Sequence, residues 1–411
     1  MDRGSVLHAA VVATGVTFVP HAAGAVDFSV DGYADLRMVI PSDQVSWQDG
    51  GLGKLRFGAE DAKPDFTFAE AAAELSALIT PELVGVATAR IAPKQYTALD
   101  LLEGFLRYRP VSTSPFRWSI KGGAFFPPVS LENTEIGWTS PWTLTPSAIN
   151  SWIGEEVRII GAEAGVEWRS DVRIVSLSAA VFGWNEPAGI LLADRGWTLS
   201  DAFSGVFDRP RVPDVEAKQL HRQVPSRTEE FVQIDNQPGW YAAASWDETG
   251  IAKLNFIVYD NDAIPSAIYD GTLAWRTQFE DVGVSSQIGN VTLLTQGMLG
   301  ETLIRPSPSF SSGTHFSAAY LLAGWSIDDN WRLALRGDVF ATSAHTPLAA
   351  ADIRESGNAL TAALDYLPTQ WLRLTAEGIR VDSTRSQRAL AAINPHEVEN
   401  QFQLSARFYL P

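Results

Sequence analysis

The chain of 411 residues contains no cysteine. That excludes disulfide staples, thiolate metal sites and cysteine nucleophiles. Past its first 25 residues, no apolar run approaches the ~20 residues that a membrane-spanning helix needs. Cations are scarce: 31 Lys and Arg stand against 48 Asp and Glu, a net charge of −17. Phosphate backbones are held by clustered Lys and Arg, so nucleic acid is excluded as a partner. No His-Glu-x-x-His, Walker loop, EF-hand loop or dinucleotide fingerprint occurs. No cofactor, metal site or catalytic residue is therefore expected. His315 and Ser317 stand two apart on one strand face. Without a third member they do not make a hydrolase.

What the sequence does have is alternation. Phe402, Leu404, Ala406, Phe408 and Leu410 interleave with Gln403, Ser405 and Arg407, the period of a strand with one apolar and one polar face. Hydrophobic residues make up 45% of the chain. That share suits a soluble protein, but it also suits a barrel in which only every second strand residue meets lipid. Residues 1–25 read as a secretory signal, with Arg3 at a basic start, a mostly apolar stretch from Val6 to Val19 and a small-x-small site at Ala23-Gly24-Ala25.

The same pattern predicts strands at 26–38, 66–78, 83–91, 98–109, 116–126, 155–169, 172–184, 237–247, 250–260, 271–280, 284–297, 314–327, 330–342, 357–367, 370–382 and 400–410. Connections alternate in length. Thr80-Pro81-Glu82, Ser170-Asp171, Asp247-Glu248-Thr249-Gly250, residues 281–283, Asp328-Asp329-Asn330 and Leu367-Pro368-Thr369-Gln370 are tight. Residues 298–313, 343–356 and 383–399 read as long loops. Short turns on one side and long loops on the other mark a membrane barrel. The expected fold is all-β: a closed antiparallel transmembrane β-barrel over 26–411 of about sixteen strands, with fourteen and eighteen left open. Its turns would be periplasmic and its loops outer. The expected location is the bacterial outer membrane, with membrane lipid as a partner.

Two loops stand out. Residues 127–154 carry Trp138, Trp142 and Trp152, rings poorly placed in free water, so this third loop is expected to fold inward. Residues 185–236 form a long outer loop, a candidate lid or receptor surface. The run Gly122-Gly123-Ala124-Phe125-Phe126-Pro127-Pro128-Val129-Ser130-Leu131-Glu132 resembles the strand-to-loop junction of the phosphate-selective group of Gram-negative porins. That resemblance implies a constriction loop at 127–154, a homotrimer, and a water-filled diffusion channel for small hydrophilic solutes rather than an enzyme. Those porins have Lys- and Arg-rich pores, whereas this chain is poor in Lys, so phosphate selectivity does not carry over.

Strand phase supplies the candidate pore-lining residues. They are Arg37, Arg117, Lys121, Arg276, Arg332, Arg336, Arg373 and Arg407 on the walls, with Glu132 and Glu135 on the loop. Opposed charges across a neck would filter solutes by a transverse field. Alternatively, the arginines pair with Asp338, Glu377 and Asp35 and only tie strands together. Two non-channel readings stay open: a plugged barrel acting as a surface receptor, and a soluble exported carbohydrate-binding β-protein.

Overall fold

The computed structural model describes residues 26–213, 226–345 and 353–410. The expected signal segment lies outside them. Sixteen strands close into one antiparallel barrel. In chain order they are β1 (Asp27–Ile40), β2 (Asp65–Thr80), β3 (Leu83–Ile91), β4 (Leu99–Tyr108), β5 (Phe116–Phe125), β6 (Ile159–Arg169), β7 (Arg173–Gly183) and β8 (Gly239–Glu248). The second half comprises β9 (Ala252–Asp260), β10 (Arg276–Ile288), β11 (Val291–Ser307), β12 (Phe310–Ser326), β13 (Trp331–His345), β14 (Glu355–Thr369), β15 (Leu372–Arg385) and β16 (His396–Tyr409). The ring closes where β16 pairs with β1, Tyr409 opposite Tyr33 and Phe402 opposite Ile40. Closure leaves no free sheet edge, so every strand can satisfy its backbone groups in lipid.

The exterior explains the solvent the barrel was built for. Leu36, Leu299, Leu321, Leu335, Val339 and Leu360 point outward and are half or more exposed. Trp118, Trp325, Trp331 and Trp371 lie near the tight-turn end, and Trp184 and Trp240 near the loop end. Trp331 stacks on Tyr366 with centroids 4.5 Å apart. An apolar band bounded by aromatic rings is the surface of a membrane-spanning barrel. The protein is thus a transmembrane β-barrel of the bacterial outer-membrane type.

One stretch of the sequence reading is wrong. No turn occurs at 281–283; β10 runs through it, and the turn is at Gly289-Asn290. Residues 298–313 are not a long loop. They belong to β11 and β12, which pair as far as Ser307 and Phe310. Each of these strands has 17 residues, roughly 55 Å at about 3.3 Å per residue. That exceeds an apolar band of about 25 Å, so the strands stand clear of the membrane. Their far ends carry polar outward residues: Gln278, Glu301 and His315 sit side by side in register, with His315 Nδ1 3.3 Å from Glu301.

The strand before the third loop bends at Gly123, which has φ +140°. A Cβ there would lie 2.2 Å from the Gly104 carbonyl oxygen, whereas one on Gly122 would meet nothing closer than 3.8 Å. Gly123→Ala is expected to cost about 1–3 kcal/mol. Heat-modifiable gel mobility should be lost at lower temperature in this variant, and Gly122→Ala should match the parent.

Candidate functional site

The third outer loop, 126–158, runs inside the barrel from wall to wall. Leu131 packs on Gly283 of β10, Trp142 lies over Gly324 of β12, and Gly137 meets Tyr33 and Ala72 of β1 and β2. Its return limb is α1 (Ala148–Glu156), a helix buried at all nine positions. Ser147 caps it by accepting from the Asn150 amide, and Asp338 of β13 accepts from Ala148 N at 3.1 Å. A carboxylate at a helix N-terminus satisfies an orphan donor and the helix dipole together. Glu377 of β15 accepts from Leu144 N at 2.6 Å and Thr145 N at 3.1 Å. Arg336 clamps the loop. It pairs with Glu132 at 2.7 Å and Asp338 at 2.8 Å, and donates to Thr145 O and Pro146 O.

The described part of the fourth outer loop, 184–213 and 226–238, also folds inward and seats its short helix α2 (Ile190–Arg195) on α1. The Glu156 carboxylate accepts from Gly189 N at 3.0 Å, Leu191 N at 2.8 Å and Leu192 N at 3.1 Å. Glu155 pairs with Arg195 and accepts from Thr198 Oγ1 at 2.9 Å. Trp197 meets Trp152 edge-on at 6.0 Å and Phe316 at 5.9 Å. Around this seat Tyr241, Tyr259, Phe279, Met298, Phe316 and Phe340 point inward and join one dry core with both loops. The expected uniformly polar inner face is therefore replaced, over the outer part of β8–β13, by an apolar one.

Water-accessible inward residues lie mainly on β2–β6. Glu74 and Glu103 flank the buried Thr88 in register across β2–β4. Arg107, Lys121 and Glu163 do so across β4–β6, and Arg117 opposes Glu167. Lys121 pairs with Glu163 at 3.1 Å and caps the Phe125 ring at 3.9 Å.

The other candidates are placed as follows. Arg37 and Arg407 are buried in one cluster with Arg56, Arg90, Asp35, Glu70 and Asp201. Arg37 lies 2.9 Å from Asp35 and 2.7 Å from Asp201, Arg56 lies 3.0 Å from Asp201, and Arg407 lies 3.0 Å from Asp35. Arg373 pairs with Asp365 at 2.9 Å and reaches Glu135 at 3.8 Å. Arg332 faces inward, 6.0 Å over the Trp142 ring. Arg276 requires a correction: it shares the outward phase of Gln278 and Glu280 and pairs at the rim with Asp260 at 3.2 Å and Asp262 at 3.4 Å. An apolar residue at 279 reads as lipid-facing and so turns Arg276 into the lumen, whereas Phe279 is buried in the interior and Arg276 takes the other face. The inward phases of Glu70 and Arg90 were readable from their strands. Asp201 carried no local signal, because its partners are more than a hundred residues away in sequence.

Burial pushes the Glu155 carboxyl from 4.5 up to about 7, with Arg195 opposing the shift. Burial likewise lifts Glu186 to about 7. A raised carboxyl binds more protons in the seated state, so seating weakens as pH rises from about 4.5 to 7. For fully buried Glu155 the effect is roughly 3 kcal/mol at most. The fourth loop should resist protease better at pH 5 than at pH 7.5. Glu155→Gln should flatten part of that dependence and Glu155→Gln with Glu186→Gln a larger part, the rest staying with buried Glu156 and Glu230, whose carboxyls are raised by the same burial.

No protein-family model matches the sequence, and no curated protein matches it. Solved structures do. The outer membrane channel DcaP of Acinetobacter baumannii matches with TM-score 0.56 and 11% identity over 95% of this chain and 99% of that one. An anion-selective porin from Comamonas acidovorans matches with TM-score 0.53 and 8% identity over 94% and 100%. OmpT, an outer membrane protein of Vibrio cholerae in a trimer form, matches with TM-score 0.52 and 12% identity over 94% and 100%. The fold is that of the outer-membrane porins.

Proposed function

We propose that the protein is an outer-membrane channel passing small hydrophilic solutes down their gradient, without covalent chemistry or a cofactor. The observation that carries this reading is the charged, water-accessible row on β2–β6, bounded by an inward loop inside a closed sixteen-strand barrel. Barrels of this size can enclose an aqueous path, and mixed charge along it favours polar solutes. On this reading Lys121, Glu163, Arg117, Glu167 and Arg107 line the path. Arg37, Arg336, Arg373 and Arg407 hold loops and strands in place. The trimer form named for the V. cholerae structure supports a threefold assembly, which native mass spectrometry in detergent would test. Planar-bilayer recording is the direct test of the channel. Stepwise conductance from refolded protein is expected, and its absence rejects the reading.

A second reading has its own support. The dry core shared by the third and fourth loops fits a plugged barrel that presents a binding surface. It predicts a silent parent protein and conductance only after the fourth loop is loosened.

A further inference from the structure

The wet face of the third loop turns through a tryptophan in an unfavourable backbone state. Gly137 and Trp138 have φ +70° and +62°, a region open to glycine and costly for a bulky side chain. Glu135 N donates to Thr139 O at 3.0 Å, Thr139 N returns a bond to Glu135 O at 3.3 Å, and Asn133 Nδ2 donates to Trp138 O at 2.6 Å. So held, the indole lies flat on Phe126, with centroids 3.9 Å apart and planes 15° apart. The Arg158 guanidinium sits 4.2 Å over that same Phe126 ring. Two groups this close must occupy opposite faces. The layers therefore run Arg158, Phe126, Trp138. Arg158 is 0% exposed and Phe126 6%, but Trp138 is only half-buried. The loop is enclosed by the barrel, so the water that reaches Trp138 is lumen water. The Trp138 Nε1 donates to Asn150 O at 3.4 Å and part of the ring packs on the core, so the stack ends in a partly exposed layer.

We propose that this layer accepts the ring face of a passing solute, which makes Trp138 the residue that sets solute preference. The inference rests on the channel reading above. The solute class is small polar molecules that present a ring face to the indole, either the C–H face of a pyranose chair or the flat ring of an aromatic carboxylate. An indole face favours such rings over acyclic chains of equal size. Lys121, Glu163 and Arg107, in register across β4–β6 on the wall of the same path, supply hydrogen bonds for the polar groups.

Block of single-channel KCl current compares two matched pairs: glucose with sorbitol, and benzoate with hexanoate. A stacking gain near the centre of the usual range corresponds to about a fivefold lower half-blocking concentration for the ring member. Trp138→Phe should keep the preference, and Trp138→Leu should lose it while KCl conductance persists. A preference in only one pair identifies the source, sugar or aromatic acid. Equal block within both pairs for the parent protein overturns the inference and leaves the channel reading standing, as does a preference that survives Trp138→Leu. If the Leu variant does not fold, Trp138→Met takes its place: it also lacks a ring and should lose the preference, and a preference that survives it overturns the inference. A parent protein without conductance defeats both readings.

Discussion

Replacing Arg336 by alanine is expected to unseat the third loop while the barrel stays closed. The guanidinium is 0% exposed. It neutralises Glu132 and Asp338 and donates to two loop carbonyls and the Thr143 hydroxyl. Removing it leaves two buried carboxylates without their cation. Glu132 would retain Ser147 N at 2.9 Å and Asn150 Nδ2 at 3.0 Å, and Asp338 would retain Ala148 N. Amide donors offset only part of a buried charge, so the loss is about 3–5 kcal/mol. It falls on the loop because the strand ladder does not depend on this side chain. Limited proteolysis should cut within 130–147, ionic conductance should rise, and the temperature of barrel unfolding should move little. Arg336→Lys keeps the charge but loses the planar fork, so it should be intermediate. Arg336→Met with Glu132→Gln and Asp338→Asn removes all three charges and should recover most of the protection. A loop in Arg336→Ala as protected as in the parent would show that the clamp is dispensable.

The difference between these two loops and the strands explains what the sequence could reveal. Strand phase is a local property. Phe402 to Leu410, or Trp331 to Val339 against Arg332 to Asp338, announces itself within ten residues because lipid and lumen impose opposite chemistry on neighbours. The signal vanishes where that contrast disappears. Phe279, Met298 and Phe316 face a dry lumen, so both faces of β10–β12 are apolar in part and the apparent phase slips by one residue. Arg276 therefore reads as lumen-facing from sequence and lies at the outer rim in the fold. Residues 298–313 were read as a loop because strands that outrun the bilayer become polar outside. The arginine wall was legible as a set of inward residues, but its meaning was not. Whether Arg37 filters solutes or ties down a loop depends on Asp201, which reaches it only through the fold. The tryptophans of 127–154 did signal an inward loop, since such rings need a partner. The fourth loop gave no comparable sign, although Trp197 is 0% exposed.

Exchanging residues 187–212 for a short Gly-Ser linker is expected to raise conductance several-fold and to shift ion preference toward anions. Both effects come from the same excision. The segment supplies Leu191, Leu192, Trp197, Leu199 and Phe203 to the buried interior, each worth about 1.5–3 kcal/mol of burial. Without them Trp152, Phe316 and Phe340 face water, and α1 loses the partner that seats it. The excision removes three aspartates (Asp194, Asp201 and Asp208) and three arginines (Arg195, Arg209 and Arg211), so total charge is unchanged, and the one taken from the arginine cluster on the strand wall is Asp201. The cluster around it holds four arginines (Arg37, Arg56, Arg90 and Arg407) against three carboxylates (Asp35, Glu70 and Asp201). Losing Asp201 raises the positive surplus from one charge to two, at side chains newly open to the lumen. Reversal potentials in asymmetric KCl should move accordingly. Asp201→Asn separates the two effects: it alters the charge while the aromatic core stays in place, so preference should shift with a much smaller rise in conductance. A silent parent with a conducting excision variant would establish the plugged reading. Unchanged conductance and unchanged reversal potential in the excision variant would mean that ions do not pass the fourth loop, and the path along β2–β6 would have to open outward elsewhere.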